Sequence, residues 1–246
     1  MKVIISPAKK MKTDLESQLS MTRPVFLKKT EKLKKWIQQL SYEQQQALWQ
    51  CNDGIAQENA RRFAHMDLHK NLTPALLAYE GIQYQYMAPV VFENQEYLYV
   101  QEHLRILSGF YGVLKPFDGV VPYRLEMQAK VHLDGLKSLY AFWGDAIYRE
   151  VMDDSRTVIN LASKEYAKCV EKYLKPGDRW ITCIFGELVK GKVVQKGVYA
   201  KMARGEMVRY MAAQGIQEPE HMKAFCWSGY RFEEGLSDKA TYVFVK

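Results

Sequence analysis

The chain has 246 residues, of which 48% are hydrophobic and 26% are charged, a balance that excludes a disordered or fibrous protein. No stretch approaches the roughly 18 to 20 apolar residues of a membrane span, and the aliphatic run before Pro7 is too short for a signal peptide. We therefore expect a cytoplasmic protein without a membrane partner. The formal net charge of +7 favours a polyanionic partner, because a basic surface concentrates phosphate groups.

The elements of the N-terminal half are predicted from hydrophobic periodicity, capping residues and turn formers. A β-branched strand covers residues 2–6 and ends at Pro7. Amphipathic helices are predicted over residues 25–40, 41–49 and 53–66, with Ser41 and Asp53 as the caps of the second and third. Apolar residues at helical spacing predict a further helix over residues 94–107, which Gly109 terminates.

Helices and strands alternate in the C-terminal half. The predicted elements are a helix over residues 136–151, a strand over 157–162, a helix over 163–173, a hairpin of strands 180–187 and 193–199, a helix over 200–213, and strands over 225–232 and 240–245. No internal repeat and no Gly/Pro/Ser-rich linker divides the chain. We therefore predict an α+β (mixed α/β) fold with a single compact domain over residues 1–246, in which helices wrap a mixed β-sheet.

The segment LSGFYGVLKPFDGVVPYRLEM, residues 107–127, is the densest in turn-forming residues. Glycine turns let backbone N–H groups approach a phosphate, and a helix followed by a glycine turn and basic residues follows the plan of a helix-hairpin-helix. Pro116 interrupts any second helix, so a glycine-capped helix end with a tight turn is the open alternative. The candidate nucleic-acid contacts in this segment are Gly109, Gly112, Lys115, Tyr123 and Arg124.

Other motifs lie at predicted junctions of strands and helices, where open sheets place ligand sites. They are SPAK at residues 6–9, FWGD at 142–145, NLASKEY at 160–166 and YAKMARGEM at 199–207. If these junctions converge, their cations surround one anionic ligand, either a nucleic acid or an unidentified small anion. The candidate contacts from these motifs are Lys9, Lys164, Lys201 and Arg204.

An enzyme is the alternative. Glu126 and Asp145, with Lys9 and Tyr123, supply acid–base groups for a reaction on a nucleotide or a DNA strand in the same cleft. A carboxylate two residues from Arg124 is also typical of a structural ion pair. The histidines and carboxylates show no metal-ligand spacing, so we predict neither a metal site nor a cofactor.

Motifs from nearly the whole chain carry a family resemblance. In order they are ISPAK, AQENARRF, EHLRILSGFYGVLKPFDGVVPYRLEM, LYAFWGD, INLASKEY, YAKMARGEM and GYRFEE. With these motifs the chain resembles the YaaA-type peroxide-stress protein family. The resemblance implies a cytoplasmic bacterial protein that binds DNA, double-stranded or distorted, and limits free intracellular iron during hydrogen-peroxide stress, which protects DNA and proteins from oxidative damage.

The resemblance also has structural implications. It implies one compact domain of mixed α/β topology with a positively charged cleft and a helix-hairpin-helix-like element. Carried onto this sequence, that element covers residues 104–126. The cleft implied by the resemblance includes Lys9, Tyr123, Arg124, Lys164, Lys201 and Arg204.

Overall fold

A computed structural model describes residues 1–17 and 19–246 of the chain. Its strands are β1 (Lys2–Ile5), β2 (Lys10–Met11), β3 (Thr73–Pro74), β4 (Tyr79–Glu80), β5 (Leu104–Ser108), β6 (Gly112–Leu114), β7 (Gly119–Val120), β8 (Thr157–Leu161), β9 (Arg179–Val189), β10 (Lys192–Val194), β11 (Arg231–Phe232) and β12 (Thr241–Val245). Its α-helices are α1 (Leu27–Gln38), α2 (Tyr42–Trp49), α3 (Asp53–Ala64), α4 (Ala75–Ala78), α5 (Ile82–Met87), α6 (Asn94–His103), α7 (Leu139–Trp143), α8 (Ala146–Val151), α9 (Lys164–Glu171) and α10 (Gly197–Ala213).

The main sheet is mixed. Its strand order is β11-β12-β9-β8-β1-β5-β6, and β10 also pairs with β9. The pairs β5–β1, β1–β8, β8–β9 and β9–β12 are parallel, whereas β6, β10 and β11 are antiparallel to their neighbours. Two small sheets, β2–β4 and β3–β7, lie beside the main one. The prediction of a mixed sheet flanked by helices in a single compact α/β domain is confirmed.

The centre of the sheet is buried on both faces. Val3, Ile4 and Ile5 of β1 are inaccessible to solvent or nearly so, and they belong to one continuous hydrophobic core. A parallel strand covered on both sides has a continuous run of branched aliphatic residues, which is why the first strand was predictable from the sequence. Among the described residues, none of the helices has the length and apolar character that crossing a bilayer requires.

Local capping explains the helix starts. The Ser41 side chain accepts a hydrogen bond from the Gln44 backbone, and the Gln44 side chain in turn accepts one from the Ser41 backbone, which is a capping box. The predicted cap of the third helix was off by one residue, because Asn52 rather than Asp53 accepts the bond from Ile55. The predicted helix over residues 136–151 is two helices, since Gly144 adopts a positive φ of 55° between them.

Residues 104–126 do not form the predicted helix-hairpin-helix-like element. Helix α6 ends at His103, and the next residues form β5, whose five residues are all buried. Strand β6 returns antiparallel to β5, and Lys115 to Asp118 then form a tight turn closed by the Asp118 carboxylate. The predicted helix over residues 94–107 ran too far, because a fully buried strand has no alternation of polar and apolar residues to distinguish it from a helix.

Candidate functional site

The two central strands of the main sheet are β1 and β8, and the chain continues from them toward opposite edges of the sheet. From β1 it passes to β5 on one side, and from β8 it passes to β9 on the other. In open α/β sheets a crevice forms outside the carboxyl ends of the strands at such a switch point, and ligands bind there. Ser6 follows β1 and Ser163 follows β8, so these two serines mark the floor of the crevice.

The two serines are joined by hydrogen bonds. The Ser163 backbone N–H donates to Ser6 Oγ at 2.8 Å, and the Ser6 hydroxyl donates to Ser163 Oγ at an O–O distance of 3.3 Å. Tyr84 donates its hydroxyl to the Ser6 carbonyl oxygen at 3.0 Å, which ties α5 to the same point. Helix α9 begins directly after Ser163, and the positive end of its dipole favours an anion at this floor.

A cavity of about 520 Å³ opens above the serines; we call it the switch-point cavity. Its charged lining residues are the cations Lys9, Lys10, Arg124, Lys201 and Arg204 and the carboxylates Glu80, Glu126 and Glu165. Three of the cations have carboxylate partners within the cavity, the shortest contacts being Lys9–Glu126 at 2.9 Å, Lys10–Glu80 at 2.9 Å and Arg124–Glu126 at 3.1 Å. The described part of the chain supplies no such partner for Lys201 or Arg204, so they carry the excess positive charge.

Arg204 reaches the cavity because α10 and α5 pack unusually closely. A Cβ on Gly205 would lie 2.1 Å from the Gln83 carbonyl oxygen, so only glycine allows this approach. The Arg204 side chain is largely buried, burial lowers its pKa, and its Nε has no partner among the described residues. Gln83 is 7% exposed, and its amide Nε2 likewise has no partner. Each of these two residues lines the cavity and has a buried nitrogen without a partner, which is costly unless a ligand or water bonds it.

Glu165 is a second unusual group in the cavity. Burial raises the pKa of the Glu165 carboxyl, and the negative charge of Glu126 raises it further, against a hydrogen bond from the Gln128 backbone at 3.2 Å. Glu126 Oε1 lies 2.9 Å from Lys9 Nζ and 3.1 Å from Arg124 Nη2, so it has two cationic partners. Two carboxyl groups with different environments in one cavity are a common arrangement for acid–base chemistry. No group of three or more metal-ligating side chains occurs within residues 1–17 and 19–246.

A family model described as peroxide stress protein YaaA matches residues 1–236. The chain belongs to this family. It is 57% identical over 246 residues to a UPF0246 protein of Agathobacter rectalis, covering 100% of this chain and 99% of the relative. UPF0246 proteins of Desulfitobacterium hafniense and Lachnoclostridium phytofermentans are 55% and 50% identical, each over 100% of this chain, covering 98% and 96% of those proteins. The family resemblance identified from the motifs is thus confirmed.

In this YaaA-family chain the switch-point cavity gathers some of the predicted site residues. Those that line it are Lys9, Tyr123, Arg124, Glu126, Lys201 and Arg204. Lys164 is exposed at the first turn of α9 but does not line the cavity. Asp145 lies outside it at the start of α8, where its carboxylate is 2.8 Å from Arg149. Glu126 and Asp145 therefore do not share a site.

Gly109, Gly112 and Lys115 lie elsewhere too. Both glycines are buried: a Cβ on Gly109 would lie 2.4 Å from the Leu125 carbonyl oxygen, and one on Gly112 would lie 2.9 Å from the Trp143 ring. The space beside each Cα is thus filled by protein, and neither glycine lines the switch-point cavity. Lys115 lines a different cavity.

Tyr123 has a structural role that the sequence did not indicate. Its ring is 4% exposed, and its hydroxyl bonds the Tyr79 hydroxyl at 2.7 Å and Ser108 Oγ at 2.5 Å. Burial raises the pKa of Tyr123 to about 12, so the phenol stays protonated. Sequence reasoning missed Gln83, whose only signal is an amide beside the buried Tyr84 in a short helix.

Proposed function

We propose that this chain is a cytoplasmic DNA-binding protein of the hydrogen-peroxide stress response, and that the switch-point cavity and its rim bind phosphates of the DNA backbone. The observation that carries the proposal is Arg204, a largely buried guanidinium with no counter-charge among the described residues. A buried charge without a partner is strongly unfavourable, whereas an Arg–phosphate pair is among the strongest contacts in proteins. A phosphate oxygen near Arg204 would satisfy it.

The rest of the cavity supports the same ligand chemistry. Lys201 is exposed one helical turn before Arg204, on the side of α10 that lines the cavity. The start of α9 adds the positive end of a helix dipole at the cavity floor. Cations and helix starts contact phosphates rather than base edges, so the proposed binding is to the DNA backbone and independent of base sequence.

Removing the two unpaired cations tests the proposal. In the double variant Lys201→Gln/Arg204→Gln, affinity for unrelated duplex sequences should fall by a similar factor for each. The slope of log K against log salt should become shallower by about 2, since each lost phosphate contact removes about 0.9. Fluorescence-anisotropy titrations over a salt series measure both quantities, with duplex, bubbled and single-stranded DNA as ligands.

The matched control is Lys190→Gln/Lys192→Gln, which removes two exposed charges at the β9–β10 hairpin, outside the cavity. The proposal fails if the control weakens DNA binding as much as the cavity variant. It also fails if only one sequence loses affinity, because backbone binding is blind to sequence.

We further propose that DNA binding at this cavity is needed to limit free intracellular iron and oxidative DNA damage under peroxide. Cells carrying the Lys201→Gln/Arg204→Gln variant should show as much chelatable iron and oxidised DNA after a peroxide pulse as cells without the protein. If the variant loses DNA affinity but still lowers chelatable iron, the link between the two is wrong.

A second candidate is an enzyme acting on a nucleotide or DNA strand, favoured by the raised pKa of Glu165 beside the Glu126 carboxylate. In this scheme Glu165 holds a proton and Glu126 accepts one. Glu126→Gln should then abolish turnover of a nucleotide or DNA substrate without a comparable loss of binding. Asp145→Asn is the matched control, because Asp145 lies outside the cavity. Equal turnover in both variants would eliminate the assignment of Glu126 as the catalytic base.

A further inference from the structure

A second cavity, of about 210 Å³, lies beside the antiparallel pair β5–β6. Its charged lining residues are Arg23, Arg105, Lys115, Asp118 and Glu150. It shares no lining residue with the switch-point cavity. Lys115, which sequence reasoning assigned to the DNA-binding cleft, belongs here. We call it the Arg105 cavity.

Arg105 is the unusual residue of this cavity. It is 6% exposed, and Nη1 donates to the carbonyl oxygens of Gln101, Glu102 and Leu104 at 3.3, 3.1 and 2.7 Å. These bonds satisfy the end of α6 and turn the guanidinium back toward the start of β5. Nε is buried and has no partner among the described residues. Nε–H and one Nη2–H lie parallel on the same edge of a guanidinium, the edge that grips a carboxylate or phosphate with two bonds.

The carboxylates of the cavity do not occupy that edge. Asp118 accepts from Thr22 Oγ1 at 2.7 Å and from the Lys115 backbone at 2.8 Å, so its oxygens hold the turn together. Neither Asp118 nor Glu150 lies within 4.0 Å of a charged nitrogen of Arg105, Arg23 or Lys115 in the described part of the chain. Burial lowers the pKa of Arg105, and the charges of these two carboxylates oppose that shift only in part. A buried arginine in a cavity thus keeps a bidentate edge free of protein partners, with two more cations at the cavity wall.

We propose that the Arg105 cavity is a binding site for a small oxyanion, held by the free edge of Arg105 and by Lys115 and Arg23. The ligand chemistry is a single carboxylate or phosphate group, because the guanidinium edge fits either. A volume of about 210 Å³ corresponds to roughly seven water molecules of liquid, enough for such an ion but not for a nucleic-acid strand. The site is therefore independent of DNA binding at the switch-point cavity.

Inorganic phosphate and acetate are the two probes, each compared with sodium chloride at equal ionic strength. At ten times the dissociation constant, a bound ion should raise the thermal midpoint of the full chain by about 3 °C. Which of the two probes gives the larger shift distinguishes a phosphate site from a carboxylate site. The arginine Nε–H signals in a ¹H–¹⁵N spectrum locate the ion, since the Arg105 signal should move on titration.

Variants assign the effect to this cavity. Lys115→Gln should lower the affinity for the ion about tenfold, because it removes one charge-assisted contact. Lys192→Gln, at an exposed position on β10, should leave the affinity unchanged. Arg204→Gln disables the other cavity and should leave the stabilisation and the Arg105 signal shift in place. Lys115 makes its turn bond through its backbone, so its side chain can be changed without losing that bond.

Three results would overturn the proposal. The first is a midpoint shift with phosphate and acetate no larger than with chloride. The second is equal affinity in the Lys115→Gln and Lys192→Gln variants. The third is loss of the whole effect in Arg204→Gln, which would assign the ion to the switch-point cavity instead. That result would not contradict the proposal that DNA binds there.

Discussion

Residues 104–126 and helix α10 resemble each other in sequence, since each combines glycines, cations and aromatic residues. In the structure they differ. The first segment is a buried β-hairpin with a tight turn, and its cations are turned into a second cavity or paired with Glu126. Helix α10 buries one side and presents Lys201 and Arg204 to the switch-point cavity. Glycines serve packing in both, so cations without a carboxylate partner on a helix, more than the glycines, indicate a contact surface.

The largest effect should come from adding a methyl group at these packing glycines. Gly109→Ala and Gly205→Ala would place Cβ 2.4 and 2.1 Å from carbonyl oxygens of Leu125 and Gln83. The added methyl group would clash with backbone atoms in each case, so each variant should lose about 3 kcal/mol of unfolding free energy. Urea unfolding monitored by circular dichroism measures it.

Gly197→Ala, also in α10, is the matched control, because no atom lies within 4 Å of its added Cβ. It should be neutral or stabilise by up to about 1 kcal/mol. A neutral Gly109→Ala would break the comparison, since Gly109 would then be free to serve a ligand.

A smaller effect is expected from Tyr123→Phe. The change removes a hydroxyl that links Tyr79 to Ser108 in the core and should cost about 1 to 2 kcal/mol of unfolding free energy, again by urea titration. DNA affinity should stay within about twofold of the unchanged protein. A loss of affinity at unchanged stability would show that Tyr123 contacts the ligand after all.

Single lysine changes sharpen the comparison further. Lys201→Gln should reduce DNA affinity about fivefold at low salt, which is about 1 kcal/mol. Lys115→Gln, from the buried hairpin, should change it less than twofold. Anisotropy titrations of the two variants side by side decide the matter, and a larger effect at Lys115 would reverse the assignment of the two regions.

The smallest effect is a pH dependence at Glu165. Its pKa is raised in the folded protein, mainly by burial, so the unfolded chain ionises it more readily. The residue is then destabilising above its unfolded pKa and neutral in effect below it. Glu165→Gln should therefore stabilise the fold near pH 7, and the gain should vanish as the pH falls below about 4.5. Urea unfolding at several pH values checks the sign; a gain that grows in acid would contradict it.

Much of the fold was predictable because its signals are local. The aliphatic run of β1, the Ser41 capping box and the Lys190-Gly191 turn each specify their structure within a few residues. The strand at residues 104–108 was not predictable, because burial on both faces removes the alternation of polar and apolar residues that distinguishes a strand from a helix. Gly144 was a helix break that only its positive φ revealed.

The site was predictable only in part. Strand ends and helix starts indicated Lys9, Lys201 and Arg204, since parallel strands bring their carboxyl ends together. Which cations would stay unpaired was not predictable, because the pairing of Lys9 with Glu126 joins residues far apart in the chain. The orphaned amide of Gln83 depends on how closely α5 and α10 pack, and no pattern in either segment encodes that distance.

The central position of β1 also bears on how the molecule is made. This strand pairs with β5 on one side and β8 on the other, and the bond from Ser163 to Ser6 spans 157 residues. In a nascent chain leaving the ribosome, this strand, with its apolar residues Val3, Ile4 and Ile5, therefore has no β8 to pair with until well over half of the polypeptide has been translated. Such high contact order makes folding slow, and it gives chaperones a long interval in which to bind this segment.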